Sequence, residues 1–413
     1  MSIKKAIIKM AENINIEDNR QQGKVKYPLI PTIITIFLAW CAGCNNCREI
    51  AEFWEYKKKE LKKLVPDFPK DNISHDTVNR IMRVINFNDF HRFLTDFAKE
   101  MLESSAEFNK QLRVLSLDGQ TPRAIEYEPK KGALGVPSND RRLYDKLYYV
   151  TLQDTTNNLS FGVEEVQDKE NENKACVRLI ELFNLQGIVV TADALNTQRS
   201  VAQAIINQEG DYCLALKNNH KKLAMTVRDA FATKIEEAQT YITDYEKEHG
   251  RIEQRTVVAL PASLIPKSVL GEWKADCNTL FMSTTTSHIV KYDEDRAPEV
   301  RYFLSSLSYD TPNIAEIGYK TIRSHWGIEN KLHYVLDMSF GQDHMQIKNR
   351  NFLRNIEVLD RITLNMIRIL QKDLQKGASP VSVKRARDSV RYDVSIGLKA
   401  MLKYFGMGKN EIK

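Results

Sequence analysis

Between residues 28 and 110 apolar positions recur at intervals of three and four, with polar turns between them, which predicts a series of helices. In "NISHDTVNRIMRVI", Ser74 with Asp76 and Thr77 can cap a helix whose Ile81, Val84 and Ile85 share one face. From 111 the period shortens to two. "RVLSLDG" reads as a strand ending on Asp118 and Gly119, and "LYYVTLQDTTNNLSFGVEEV" as two strands joined by a polar turn. Asn173 can cap the next helix, with Cys176, Leu179, Ile180 and Phe183 on one face and Gly187 at its end. Ile188 to Asp193 then form a strand, residues 197–208 a helix, and "DYCLALK" a fifth strand. After the basic stretch 217–222 a β-like pattern runs through Leu304, and helices return near Ile314.

Three antiparallel strands followed by alternating helix and strand is the order of an RNase H-like mixed sheet, so the expected class is α/β. At 413 residues the chain exceeds what one core usually serves. The expected division is a flexible N-terminus over 1–24, a helical domain over 25–110, an RNase H-like domain over 111–375 with a β-rich insertion at about 223–312, and a basic helical tail over 376–413.

Composition changes this picture in four places. With 42% apolar and 28% charged residues the chain is globular, but the net charge of +6 is uneven. Residues 374–413 hold nine Lys or Arg against Asp388, Asp393 and Glu411. That excess is either a solvated helix face or a phosphate-binding surface, with Lys384, Arg385 and Arg387 at its centre. The first 24 residues lack a secretory signal, which points to the cytoplasm. "LIPTIITIFLAWCAGC" is uncharged yet short of the roughly 20 residues that span a bilayer, so a buried helix and no membrane are expected. "CAGCNNC" lacks the fourth ligand and following Pro of an iron–sulfur run, and the six cysteines are expected to be reduced thiols.

In such a sheet the first and fourth strands are neighbours, which would bring Asp118 beside Asp193. Two buried carboxylates repel, so one takes a proton or a cation joins them, and Mg²⁺ suits an all-oxygen set. A third acid is needed to hold two ions for attack on a phosphodiester. Glu329 offers it, because it falls within the helical stripe Ile322, Trp326, Leu332, Leu336. At 100° per residue Asp337 would lie about 80° around that helix from Glu329. Each acid also has an ordinary reading: Asp118 as the start of a turn, Asp193 as the cap of the following helix, for which Asn196 or Thr197 is better placed, and Glu329 as the partner of Arg323 or Lys331.

"LSLDGQT", "VVTADALNTQRSVAQAIINQEGDYCLALKNN", "HGRIEQR" and "RSHWGIENKLHYVLDMSFGQD" resemble the successive signatures of the H-repeat-associated insertion-sequence transposases, a branch of the DDE transposases. "YPLIPTIITIFLAWCAG" and "SHDTVNRI" are similar to that family's amino-terminal associated domain. The resemblance spans about 25 to 405. It implies strand cleavage and transfer at the ends of an insertion sequence, with Asp118, Asp193 and Glu329 as catalytic residues and ligands of two Mg²⁺ or Mn²⁺ ions. The implied partners are double-stranded DNA, as terminal inverted repeats and as target, and a second copy of the chain when two ends are joined. A bacterial, nucleoid-associated location follows. His325 and His333 flank Glu329 by one turn, on the scissile phosphate or in the core, and Trp326 packs or stacks on a base. This chain departs from the family in having Gln120 and "PRAI" where Lys and Leu-Arg-Gly-Ser are usual, and Gln342 with Asp343 in place of an acidic pair. An RNase H-like nuclease that cuts without joining would use the same acids. A silent DNA-binding derivative would keep the basic tail without needing them.

Overall fold

The computed structural model describes residues 16–104, 112–120, 126–127, 145–167, 171–234, 236, 238–248, 250–342, 345, 349–377 and 379–406, with Lys5, Ile7, Ile8 and Met10 at the start. Four helices come first: α1 (Leu29–Cys41), α2 (Cys47–Leu64), α3 (His75–Val84) and α4 (Phe87–Ser104). α1 is apolar on every side and is buried along nearly its whole length, as a helix without a polar face must be. Among the described residues no helix is long and apolar enough to cross a membrane. Ser74 does cap α3, its Oγ accepting the Thr77 amide at 3.3 Å.

The sheet begins with β1 (Arg113–Gln120) and the hairpin β2 (Tyr149–Asp154) and β3 (Leu159–Glu165). α5 (Glu172–Ile180), β4 (Ile188–Ala192), α6 (Arg199–Asn207) and β5 (Asp211–Leu216) follow. β1 is antiparallel to β2 and parallel to β4, and β4 is parallel to β5, giving the order 3-2-1-4-5. Two helix boundaries differ from expectation. α5 starts after Asn171 rather than Asn173, and it ends at Ile180, leaving residues 181–187 to a turn that Gly187 closes at φ 73°.

After α7 (Lys221–Thr233) come β6 (Gln239–Ile242), β7 (Arg251–Pro261), β8 (Thr279–Ile289) and β9 (Glu294–Ser305). The stretch expected to be an insertion does not form a layer of its own. β9 pairs antiparallel with β5, Leu304 opposite Leu214, so these strands continue the central sheet to ten strands. Unpaired backbone at the β5 edge is thereby satisfied by a neighbour in the same chain.

α8 (Ile314–Ile328) crosses this sheet, and its backbone continues through two π turns, Glu329–His333 and Leu336–Phe340, to Gly341 at φ 69°. Close approach is set by Gly318, where a Cβ would lie 2.4 Å from the Phe281 ring. α9 (Arg350–Leu374) is the spine of the helical side. Its Asn355 amide donates to Met82 O at 2.8 Å, and Asn365 bonds both the amide and the carbonyl of Ser160 at 2.8 Å. The amino-terminal helices and the hairpin are thus fastened to one helix, and they share one apolar core.

The carboxyl-terminal segment is likewise part of that core. α10 (Val383–Tyr392) and α11 (Val394–Tyr404) fold back on it, the Tyr404 ring stacking 4.1 Å from Phe97.

Candidate active site

β1 and β4 run side by side in parallel, Leu115 level with Val190 and Leu117 with Ala192, so the next residues of the two chains are Asp118 and Asp193. Both strands are buried apolar runs, and the acids stand where they leave the core, at the carboxyl ends where open α/β sheets place ligands. Asp118 Oδ1 accepts the Gly119 amide at 3.0 Å. Burial pushes the Asp118 carboxyl up to about 7, the charge of Asp193 adds to this, and Glu329 and Glu172 add further, against the pull of the Gly119 N–H.

Asp193 serves the loop and the site together. Its Oδ1 accepts the Asn196 amide at 3.0 Å and the Asn196 side chain at 3.1 Å, while Thr197 Oγ1 ties the Asp193 carbonyl to that of Ala215. None of the three caps α6, whose N-cap residue is Gln198.

Glu329 is placed differently from the sequence expectation. It is exposed, and the buried stripe beside it runs through Ile322, Ile328, Leu332, Leu336 and Phe340. A π turn begins at Glu329, and because such a turn holds an extra residue, the 100° step used to place Asp337 relative to Glu329 fails through it. Its charge nevertheless reaches Asp118. Among the described residues no three His, Cys, Asp or Glu side chains are arranged to grip a metal ion.

Residues 110–365 match the family described as transposase DDE domain, and residues 14–98 match its associated region, DDE_Tnp_1-associated. The chain belongs to the DDE transposase family. YncI of Escherichia coli O157:H7, named as a transposase, is 28% identical over 384 residues, covering 91% of this chain and 89% of its own. YhhI of Escherichia coli strain K12, named as an H repeat-associated transposase, is 27% identical over 307 residues, covering 73% and 75%. The piggyBac transposase synaptic complex with hairpin DNA aligns at 10% identity with a TM-score of 0.40, over 97% of this chain and 78% of that one.

In this transposase the two histidines are neutral interior groups. His325 Nδ1 lies 3.1 Å from Thr191 Oγ1, which is itself 3.1 Å from Ser116 Oγ across the β1–β4 seam. Burial pushes its pKa down to about 4, Asp193 opposing and Arg301 assisting. His325 therefore fastens α8 to the central strands and brings no cation to a phosphate. His333 Nδ1 is 3.6 Å from Asp118 Oδ2, and burial, with Arg361 and His325, pushes it down to about 3. Trp326 is 39% exposed, has the Arg301 guanidinium 4.9 Å from its ring, and lines a cleft of about 260 Å³ with Arg323, Asn330 and Lys331.

Of the three basic candidates in α10, Lys384 and Arg385 are exposed, and Arg387 is not. Arg387 is only 6% exposed: it donates to Ser339 O, to Trp40 O at 2.9 Å and to Asn45 Oδ1 at 3.0 Å, and its guanidinium lies 4.5 Å from the centre of the Phe340 ring. The basic run reads from sequence as a solvated face or a phosphate-binding surface, and Arg387 is neither, because one face of α10 is covered by α1 and this side chain caps carbonyls inside. The group that sequence reading missed is Glu172, with Asn196 beside it. An acid in the first turn of a helix ordinarily complements the helix dipole, which left no signal to single it out.

Proposed function

We propose that this transposase cuts DNA at the ends of an insertion sequence and joins them to a target, using Asp118, Asp193 and Glu329 as ligands of divalent ions in an RNase H-like domain. The strand order 3-2-1-4-5, with parallel β1, β4 and β5, supports that fold. One observation carries the reading: the β1–β4 register delivers two acids to one point, where Glu329 adds to the charge that holds Asp118 near neutral. Carboxylate oxygens suit Mg²⁺ or Mn²⁺, and relief of that repulsion is what a hard cation would bring. When bound, two such ions activate the attacking oxygen and stabilise the leaving one in an in-line displacement.

The chain's own residues do the rest. His325 fixes α8 against β4 and so positions Glu329, and neutral His333 packs against Asp118 without adding charge. Trp326, Arg323 and Lys331 line a cationic and aromatic cleft on α8, with Arg301 against the Trp326 ring, suited to a base and its phosphate. Lys384 and Arg385 would contact backbone phosphates. Joining two ends calls for two protomers.

The test is an end-labelled DNA duplex carrying the flanking inverted repeat, incubated with target plasmid and Mg²⁺. Labelled ends covalently joined to the target support transposition. Nicked ends without joined product would instead make the protein a nuclease.

A further inference from the structure

We infer that Arg368 is a positioning residue: it clamps the π turn that begins at Glu329 to α9, and through α9 it fixes Glu329 and His333 relative to Asp118. The inference rests on the reading of Glu329 and Asp118 as acids of one site.

The two π turns at the end of α8 are held from outside in the same way. In the first, the Tyr334 amide donates to Glu329 O, and the Lys331 carbonyl within the turn accepts Arg368 Nη2 at 3.0 Å. In the second, the Gly341 amide donates to Leu336 O, and the Ser339 carbonyl accepts Arg387 Nη1. A guanidinium from another helix thus meets one carbonyl of each turn. π turns are rare within helices and gather at functional sites, so a donor aimed at each from elsewhere in the chain calls for a reason.

For the first turn the reason lies in what it carries. His333, its last residue, has Nδ1 3.6 Å from Asp118 Oδ2. With Ile328 held in the core, an ordinary α turn here would rotate His333 by about 100° and take it off Asp118.

Arg368 is itself anchored. Its Nη1 donates to Gln371 Oε1 at 2.8 Å, and Gln371 Nε2 donates in turn to Val381 O. A second arginine on the same stripe registers α9 on the sheet. Arg361 lies about two turns earlier on that face. It is fully buried, and its Nη2 donates to Thr151 Oγ1 at 2.8 Å. Thr151 is the β2 residue paired with Asp118. From the Glu329 turn to Asp118 the path therefore runs through Lys331, Arg368, Arg361 and Thr151, and its links are hydrogen bonds, one rigid helix and one strand pairing.

Two assays on the full chain test this. Hydrogen exchange of the metal-free protein reads the turn itself. Arg368→Met keeps most of the stem and removes the guanidinium, and should speed exchange of the Tyr334 amide by about tenfold or more while the sheet stays protected. Single-turnover cleavage of a labelled end at saturating protein should fall by about tenfold or more in the same variant, with DNA affinity within about twofold of wild type. Arg368→Lys keeps a donor for the Lys331 carbonyl and should recover most of both. Gln371→Ala leaves Arg368 in place but frees its fork, and should show a smaller loss of both kinds, which decides the matter if Arg368→Met does not fold. Wild-type exchange and cleavage in Arg368→Met, or in Gln371→Ala should the first be unfolded, would overturn the inference. A rate lost only through DNA affinity would make Arg368 a phosphate contact, and a lower melting temperature with unchanged cleavage would make it a structural cap; either result overturns it. Glu329→Gln cleaving at the wild-type rate would sink the reading of Glu329 instead, and exchange at Tyr334 would still report whether Arg368 holds the turn.

Discussion

The indole Nε1 of Trp40 donates to Asp360 Oδ1 at 2.6 Å, joining the first helix to the spine helix across most of the chain. Gln342 Nε2 donates to the other oxygen at 2.7 Å, and burial, then the charge of Glu357, pushes the carboxyl up to about 7. Trp40→Phe keeps the ring and removes the donor, leaving a buried carboxyl short of a bond. We expect a loss of about 1–3 kcal/mol, with the helices and the sheet still unfolding in one transition. Urea melts followed by circular dichroism check this. An early, separate transition of the amino-terminal helices would show that this bond, and not the shared apolar core, couples them.

Among the acids, Asp118→Asn, Asp193→Asn and Glu329→Gln should each eliminate cleavage while DNA binding persists, since an amide keeps the shape and loses the charge. Asp337→Asn should cost far less, because Glu329 is among the charges acting on Asp118. Single-turnover cleavage of a labelled end ranks them. Normal cleavage by Glu329→Gln with a dead Asp337→Asn would reverse the assignment.

Asp118 also sets a dependence of stability on pH. Its carboxyl is raised from 3.8 to about 7 in the folded chain. Below about pH 4 both states hold the proton, and nothing is lost. Between about 4 and 7 the unfolded chain releases it first, so stability falls as pH rises, and the loss is complete above the folded value. In EDTA at about pH 8, Asp118→Asn should therefore be more stable than wild type, by something on the order of 1–3 kcal/mol, and near parity at about pH 4. Thermal melts at the two pH values decide it, and equal stability at the higher pH would contradict it.

The surface of α10 separates into two kinds of arginine. Replacing Lys384 and Arg385 by Ala should weaken DNA binding for all sequences and flatten its salt dependence by up to about two ions, with little change in melting temperature. Arg387→Ala should lower the melting temperature instead, by removing the guanidinium that donates to the Ser339 and Trp40 carbonyls and to Asn45 Oδ1. Filter binding across a salt series, with melts alongside, distinguishes them. An unchanged salt slope in the double variant would remove α10 from the DNA surface.

What the sequence determined by itself was local period and its order. The change from a spacing of three and four to alternation at 111, the hairpin at 149–165 and the strand–helix alternation after it were legible because each is written within a few residues. The places of Asp118 and Asp193 followed, since both end apolar strands. Asp343, which stands with Gln342 in place of an acidic pair, lies outside the described residues. Contacts between distant segments decided the rest. β9 joins β5 through pairing that no local pattern encodes, so the β-rich stretch after α7 extends the central sheet. Two π turns break the 100° step between Glu329 and Asp337, and an extra residue per turn leaves no mark in composition. Arg387 is interior because α1 covers it, and Glu172 comes near Asp118 only because α5 packs on the β2–β3 hairpin beside β1. Periodicity reports which face of an element is apolar; which element covers that face is settled when the chain closes on itself.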